Sequence, residues 1–265
     1  MNNKLQQLVS DINKINTLNN PISLTWKISC HFIKADNCLA WLHFGEILSH
    51  HPEINSLNAY HNQYHSAEAI MSAAYLLQEE FDSETCSKVG PILLLAMMFH
   101  DVGHNGKHNT FPYELETIAY HSLSDYVERN NYLLDYWTEH LSPTYGDWKT
   151  FKHILKEIIL GTDFVHGIKP NSLNYKTNND SFHLSQLKVL ANEADTLASC
   201  ILDLGYERGE RLATEWNNPN INSNENRIKF LSSVKYTSDA SYLLGINEHI
   251  LEQIQQLQKT PSLRK

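Results

Sequence analysis

The stretch that decides the fold is residues 92–104, ILLLAMMFHDVGH, in which an apolar run leads directly into His100 and Asp101. Such a run is typical of a buried helix segment. A histidine and an aspartate at its end are costly to bury unless they are paired or bind a metal ion. Their oxygen and imidazole donors suit zinc, iron, manganese or magnesium. A His-Asp pair also fits an ordinary helix end with a capping interaction, so the rest of the chain must decide between the two interpretations.

Composition limits the class of partner. The chain has 265 residues, of which 42% are hydrophobic, so a substantial core is possible. A net charge of -9 argues against a broad nucleic-acid-binding face, which needs a basic stripe. We therefore expect no nucleic-acid duplex as a partner. A small anionic substrate remains compatible with this charge, because metal ions supply local positive charge.

The cysteines and the hydropathy pattern indicate the compartment. The four cysteines form no CxxC pair, which favours reduced thiols in a reducing compartment. The N-terminus is polar, without the apolar core of a signal peptide, and no stretch approaches the length of a membrane span. The sequence predicts a cytoplasmic protein without a membrane partner, and it indicates no oligomeric state.

Three further stretches, and one separate glutamate, carry residues that could bind metal or move protons. His61 and His65 are four residues apart and would share one face of a helix, although two surface histidines on an amphipathic helix are an alternative. Asp195 lies among alanines and leucines, where a buried acid needs a partner such as a metal ion; the alternative puts it at the polar edge of its helix. Asp163 follows a helix-like segment and is expected to face the site. Glu116 either orients metal ligands or is an ordinary surface residue.

Helix-length periodic segments dominate the chain and strand-like alternation is scarce. We therefore predict an all-α fold, a single multi-helix bundle. Residues 1–54 would form an N-terminal helical segment packing on the core, 55–245 the catalytic core, and 246–265 a C-terminal helix and tail, together one domain. Loops are expected at 79–90, ending in Gly90-Pro91, and at 171–181. His50 and His51 are expected on a solvated surface, before the turn at Pro52.

In order, the four stretches read HNxxH, HD, TD and AD, and this combination resembles the HD superfamily of metal-dependent phosphohydrolases. More closely, it resembles the catalytic domain of class I 3′,5′-cyclic nucleotide phosphodiesterases. The resemblance rests on residues 60–67, 99–106, 161–163 and 194–195, and it spans roughly residues 55–245.

The resemblance implies a role for each matching position. Two divalent ions (zinc, magnesium, manganese or iron) are implied as cofactors, with Asp101 bridging them. His61 would be the general acid that protonates the leaving alkoxide. The remaining implied roles are metal binding for His65, His100, Asp101 and Asp195, catalytic support for His104 and Glu116, and substrate contact for Asp163, Arg227 and Phe230.

The implied chemistry agrees with the physics of phosphodiesters. Two metal ions about 3.5–4 Å apart can clamp the phosphate oxygens and activate a water near neutral pH. The leaving 3′-oxygen needs a proton, and His61, one helical turn from His65, is suited to give it.

Two departures from the family pattern bear on the substrate. The family's AD motif usually continues Ser-Asn-Pro, whereas this chain continues from Thr196 to Ser199 as TLAS. The family's purine-gripping glutamine stands three residues before an aromatic residue, and here Arg227 stands three residues before Phe230. A guanidinium only donates hydrogen bonds, whereas a glutamine amide also accepts them. Arg227 is therefore expected either to contact a phosphate or carboxylate or to be plain surface.

The leading hypothesis is a metal-dependent phosphodiesterase acting on a small nucleotide phosphodiester, most simply a 3′,5′-cyclic nucleotide. Three alternatives stay open. One is a phosphodiesterase-like effector domain acting on phosphoribosyl- or ADP-ribose-linked protein, in which His61, Glu116 and His183 would supply a His/Glu/His set. Another is an HD enzyme that removes phosphate from nucleotides. The third is a nucleotide-binding sensor without catalysis; loss of ligands would support it, and no expected ligand of the first metal is missing.

Overall fold

The fold is built from helices throughout the part of the chain that the computed structural model describes, residues 2–167 and 182–259. No strand occurs in those residues, and the all-α prediction is confirmed. The loop expected at 171–181 lies outside the described residues. The helices are α1 (Asn3–Ile15), α2 (Pro21–Phe32), α3 (Cys38–Leu48), α4 (Gln63–Glu80), α5 (Ser83–Phe99), α6 (Glu114–Arg129), α7 (Asn131–Tyr136), α8 (Ser142–Tyr145), α9 (Trp148–Leu160), α10 (Leu184–Cys200), α11 (Leu202–Glu215), α12 (Asn224–Ser233), α13 (Asp239–Leu243) and α14 (Ile246–Lys259), with a π-helical turn at Trp137–Leu141 and a 3₁₀ turn at Pro219–Asn222.

Helix α4 is the centre of the bundle. It packs against α1, α2, α5, α10 and α13, and its residues from His65 to Leu77 are all buried. Most of these residues are small or apolar, which allows burial on all sides of the helix, and α5 is likewise buried from Val89 to Phe99. The buried end of each of these two helices carries polar residues, and these ends meet beside α10.

The expected loop ending in Gly90-Pro91 is wrong, because both residues lie inside α5. A proline inside a helix leaves the carbonyl four residues earlier without its N–H donor. Here the Ser87 carbonyl instead accepts the backbone N–H of Asp36 at 2.9 Å, and the Ser87 hydroxyl donates to the Asp36 carboxylate at 2.9 Å. The chain between α2 and α3 therefore replaces the missing hydrogen bond and keeps α5 continuous.

The first three helices share the hydrophobic core of the rest of the chain. The core runs without a break from Leu5 to Leu257 and contains Trp26 and Trp41, both fully buried. Trp26 Nε1–H donates to the Trp41 carbonyl at 3.1 Å, which ties α2 to α3. The division at residues 54 and 245 stays a prediction. None of the described helices combines the length and the apolar character needed to cross a bilayer.

His51 is buried, so the expectation of a solvated surface is wrong for it. Its ring packs edge-on against Phe99 and Tyr126, with ring centres 5.6 and 4.5 Å apart. Its Nδ1 accepts the Glu53 N–H at 3.1 Å. Burial lowers the pKa of His51, which favours the neutral ring that these contacts require. The neighbouring His50 is exposed, as expected.

Candidate active site

The four predicted metal ligands lie in or directly after three central helices. Asn62 caps α4 by accepting the N–H groups of Tyr64 and His65, so His65 stands in the first turn. His100 and Asp101 follow directly after the end of α5, and Asp195 lies within α10. The sequence separates these residues widely, and packing of α4 against α5 and α10 brings them together.

The donor atoms of the four residues meet at one point. His65 Nε2 and His100 Nε2 are 3.3 Å apart. Asp195 Oδ1 lies 2.9 Å from the former and 3.3 Å from the latter, while Asp101 Oδ2 lies 3.2 and 3.3 Å from the same two nitrogens. Two imidazoles and two carboxylates, all largely buried, thus point their donor atoms at a common centre.

This donor set fits a divalent cation. His100 Nδ1 donates to the Met97 carbonyl at 2.8 Å, which directs Nε2 toward the common centre, where a metal ion would take the place of its proton. Burial raises the pKa of Asp195, but His100 and His65 outweigh burial and lower it to about 2. Burial likewise opposes ionisation of Asp101, yet His100 and His61 hold its pKa well below the usual range. Both acids are therefore ionised and available as oxygen ligands.

A second set of possible ligands lies next to the first. His61, Asp101 and His104 bring one ligand atom each within 4.8 Å of one another. The rings of His61 and His104 stack with centres 3.7 Å apart and planes 18° apart. Burial lowers the pKa of His104 to about 4, so its ring is neutral and stacks on His61 without charge repulsion. Asp101 is the member that both sets share.

His61 is held by Glu215, a residue that the sequence analysis did not single out. Its Nδ1 lies 2.5 Å from Glu215 Oε1, and Glu215 Oε2 accepts the backbone N–H groups of Tyr60 and His61 at 2.7 and 3.0 Å. The carboxylate fixes the ring tautomer, so Nε2 is the nitrogen left for chemistry. Glu215 stands 154 residues from His61, at the end of a polar helix, and no local pattern distinguishes it from a solvent-exposed glutamate.

Asp163 and Glu116 belong to one hydrogen-bond network built on Asn109, which was also not predicted. The Asn109 amide donates to Glu116 at 3.0 Å and to Asp163 at 3.2 Å. Asp163 also accepts the backbone N–H groups of Tyr113, Val165 and His166, at 2.8–2.9 Å. Asp163 therefore organises the loop of residues 162–166. Burial raises the pKa of Glu116, because it disfavours the charged carboxylate.

These residues surround one cavity of about 700 Å³. Its lining includes eight of the ten predicted site residues: His61, Asp101, His104, Glu116, Asp163, Asp195, Arg227 and Phe230. His65 and His100 contact Asp101 and Asp195 directly but do not line the cavity. His183 packs against the Phe81 ring, 5.3 Å between centres, and His121 lines a separate groove with His51.

The end of the cavity formed by α11 and α12 carries Arg227, which is buried, so its interpretation as plain surface is wrong. Its Nη1 donates to the Gly205 carbonyl at 2.6 Å, whereas Nε and Nη2 are buried without a hydrogen-bond partner among the side chains that the structure describes. The guanidinium carbon lies 4.7 Å from the Tyr206 ring centre. A buried donor left unpaired costs about 1–3 kcal/mol. Phe230, one turn later on α12, stacks on Phe164 with ring centres 6.0 Å apart.

Arg208 on α11 also lines the cavity but is fully paired. It is 1% exposed and forms a two-point ion pair with Glu68, Nε to Oε2 at 3.2 Å and Nη2 to Oε1. Its Nη1 also donates to Glu207 at 2.9 Å. This pair joins α11 to α4 and fixes the wall of the cavity.

Comparison with known families gives one match over more than half of the chain. The sequence model of the family described as 3′5′-cyclic nucleotide phosphodiesterase matches residues 60–205. Among curated proteins, the chain is similar to the high affinity cAMP-specific and IBMX-insensitive 3′,5′-cyclic phosphodiesterase 8A of Homo sapiens, 34% identical over 85 residues. The counterpart from Mus musculus is 31% identical over 83 residues. Each alignment covers 31% of this chain and 10% of the relative, so the chain matches about a tenth of the length of these proteins.

Solved structures share the fold over nearly the whole chain. LmjPDEB1 in complex with IBMX superposes with a TM-score of 0.69 at 14% identity, over 94% of this chain and 90% of the other. The phosphodiesterase domain of the Salpingoeca rosetta rhodopsin phosphodiesterase superposes with a TM-score of 0.67 at 17% identity, over 91% and 88%. At these identities the likeness concerns the fold.

Proposed function

Because the chain belongs to the 3′,5′-cyclic nucleotide phosphodiesterase family, we propose that it hydrolyses the phosphodiester of a 3′,5′-cyclic nucleotide in a reaction that depends on two divalent metal ions. The observation that carries the proposal is the meeting of His65, His100, Asp101 and Asp195 at one point, with His61 at the edge of the same cavity. The names of the curated relatives, both cyclic phosphodiesterases, support the substrate class.

His65, His100 and Asp195 would hold the first ion, and Asp101 would bridge to a second ion beside His61 and His104. When bound, such ions stabilise the charge on phosphoryl oxygens and make water a nucleophile near neutral pH. The cavity is large enough for a nucleotide, since small-molecule sites are typically about 300–1,000 Å³. Asp163 and Glu116 would hold this part of the cavity wall in place through Asn109.

His61 would act as the general acid. Cleavage leaves a 3′-alkoxide, which needs a proton before it can depart as an alcohol. Glu215 accepts the Nδ1–H of His61, so Nε2 is the nitrogen that would donate a proton to that oxygen. The neutral His104 ring stacked on His61 restricts the orientation in which the proton is delivered.

The competing functions have less support. A His/Glu/His set on protein-linked phosphodiesters needs His183 near His61 and Glu116, yet His183 bonds to Gln186 at 2.7 Å and does not line the cavity. A sensor without catalysis does not need a general acid held by a buried carboxylate.

The direct test is hydrolysis of bis(p-nitrophenyl) phosphate, cyclic AMP and cyclic GMP by the protein supplied with manganese, and again after treatment with a chelator. We expect cleavage of a cyclic nucleotide that is lost on chelation and restored by added metal. Cleavage that survives complete metal removal would contradict the metal-dependent mechanism. Cleavage of the generic diester alone would keep the metal chemistry and contradict the cyclic nucleotide as substrate.

A further inference from the structure

We propose that Ser199 is a positioning residue for the reaction: its hydroxyl holds the Tyr60 ring against His61 and so keeps the general acid in the orientation that delivers its proton. This inference rests on the proposed function, since it concerns the proton that the leaving 3′-oxygen receives. It depends on three observations: the packing of Tyr60 beside two histidines, the hydroxyl contact at the far end of its ring, and the place of Ser199 on α10.

His61 depends on contacts from distant parts of the chain, because it lies in a bend just before α4 begins. Glu215 Oε1 holds its Nδ1 at 2.5 Å, and His104 covers one face of its ring. The Tyr60 ring supplies a third contact, with ring centres 4.7 Å apart and planes 87° apart. A group that transfers a proton must be held in a narrow range of positions, since a misplacement of about 1 Å can cost on the order of 10²-fold in rate.

Tyr60 packs against both the proposed acid and a proposed metal ligand. Its ring centre lies 4.7 Å from that of His61 and 4.6 Å from that of His65, and the two histidine rings are 5.9 Å apart. His65 is fixed independently, because its Nε2 lies 3.2 Å from Asp101 Oδ2 and 2.9 Å from Asp195 Oδ1. A displacement of the Tyr60 ring would therefore act mainly on His61.

Different parts of the chain hold the two ends of Tyr60. At the backbone end, its N–H donates to Glu215 Oε2 at 2.7 Å. At the far end of the side chain, its hydroxyl is hydrogen-bonded to Ser199 Oγ at 2.9 Å. The backbone contact leaves the side chain free to turn about its Cα–Cβ bond, whereas the hydroxyl contact fixes the end of the ring. Ser199 is therefore the residue that keeps the ring in place.

Ser199 shares a face of α10 with Asp195, because residues four apart lie one above the other on a helix. Both residues line the cavity. Asp195 contacts His65, and Ser199, one turn later, contacts Tyr60, so one helix positions both the metal ligand and the ring that packs on the acid. Ser199 also ends the TLAS stretch, in which this chain departs from the family pattern. The family motif therefore does not predict this contact.

The experiment measures kcat and KM of the wild-type and Ser199→Ala proteins, both supplied with manganese, on the better of cyclic AMP and cyclic GMP and on bis(p-nitrophenyl) phosphate. The 3′-alkoxide needs a proton to leave, whereas p-nitrophenolate leaves with little protonation. We expect kcat for the cyclic nucleotide to fall roughly 3- to 10-fold, the value of one hydrogen bond, with its KM and the cleavage of the generic diester little changed. No loss, or an equal loss on both substrates, would overturn the inference alone. A wild-type protein that cleaves neither cyclic nucleotide would overturn the proposed function and this inference with it.

Further variants test whether Ser199 acts through Tyr60. Tyr60→Phe removes only the phenol oxygen and should show the same selective loss on the cyclic nucleotide. The double variant Tyr60→Phe with Ser199→Ala should be no slower than either single variant, because all three lack the same contact. Ser199→Thr keeps a hydroxyl and should retain most of the wild-type kcat. Losses that multiply in the double variant would overturn the inference.

Tyr236→Phe is the matched control. The Tyr236 hydroxyl is paired with Thr196 Oγ1 on the same helix, also at 2.9 Å, but Tyr236 is not among the described residues that line the cavity. We expect this variant to keep the wild-type ratio of the two substrates. Metal content and thermal unfolding identify a variant that has lost its metal or its fold. If Ser199→Ala has lost either, Tyr60→Phe decides by the same criterion.

Discussion

The two ends of the cavity treat buried charge in opposite ways. At one end, His65, His100, Asp101 and Asp195 combine acids with bases, and each has partners within about 3.3 Å. At the other end, the described residues give Arg227 a single carbonyl as hydrogen-bond partner and leave two of its donors without one. The first arrangement can be recognised from sequence motifs, because its histidines and aspartates stand in short, fixed patterns. The second becomes evident only when the surroundings of the arginine are known.

The largest effect on activity is expected from removing one of the charged residues at the first end. Asp101→Ala removes the carboxylate that both ligand sets share, so we expect loss of metal and of detectable hydrolysis. Metal analysis of the purified variant, together with the hydrolysis assay, measures both losses. Asp125→Ala is the matched control, since Asp125 is an exposed aspartate paired with Arg129 on α6. A metal-free Asp101→Ala protein with wild-type turnover would disprove the assignment.

A smaller effect is expected from removing the proposed general acid, His61, while the metal ligands remain. His61→Ala should keep the first metal ion, because the ligands of that ion remain, and should slow turnover by roughly 10²–10⁴-fold through loss of general-acid catalysis. Substrates with a p-nitrophenolate leaving group need little protonation and should be less affected than cyclic nucleotides. Equal losses on both kinds of substrate would argue for a positioning role instead.

The paired arginine provides the third test, now of stability. Arg208→Met leaves Glu68 buried and unpaired, and we expect it to lower the free energy of unfolding by about 3–5 kcal/mol. Denaturant titration of the metal-loaded protein measures the change. The double variant Glu68→Leu with Arg208→Met removes the orphaned charge and should recover most of the loss. A double variant as unstable as the single one would mean that packing, and not charge pairing, sets the stability here.

The smallest effect on stability is expected from replacing Arg227 at the other end of the cavity. Arg227→Met removes a charge that no described carboxylate balances, so the free energy of unfolding should change by less than about 1 kcal/mol or should increase. The same titration, carried out beside Arg208→Met, provides the contrast. If Arg227→Met instead destabilised the protein by several kcal/mol, the guanidinium would have a structural role at the junction of α11 and α12.

The fold class could be predicted because it depends on local patterns, whereas the metal-binding role of the residues at the first end comes from short motifs and a family resemblance and stays a prediction. Apolar periodicity indicates helices, and His61 with His65, or His100 with Asp101, are close in the chain. Glu215 and Asn109 escaped prediction, since each acts on residues far away in sequence through an ordinary polar side chain. The error at Gly90-Pro91 has a different origin. Glycine and proline usually end helices, and only a donor from another part of the chain, the Asp36 N–H, prevents it here.

The hydrogen bond from the Asp36 N–H has a consequence for how the chain can be divided into parts. The helix that delivers His100 and Asp101 is completed by a backbone group from the turn between α2 and α3, so the first fifty residues supply a missing part of the catalytic scaffold. A fragment that starts at the family match, residue 60, would lack it. The first residue of the family match is therefore not a position from which the chain can be shortened without loss of this hydrogen bond.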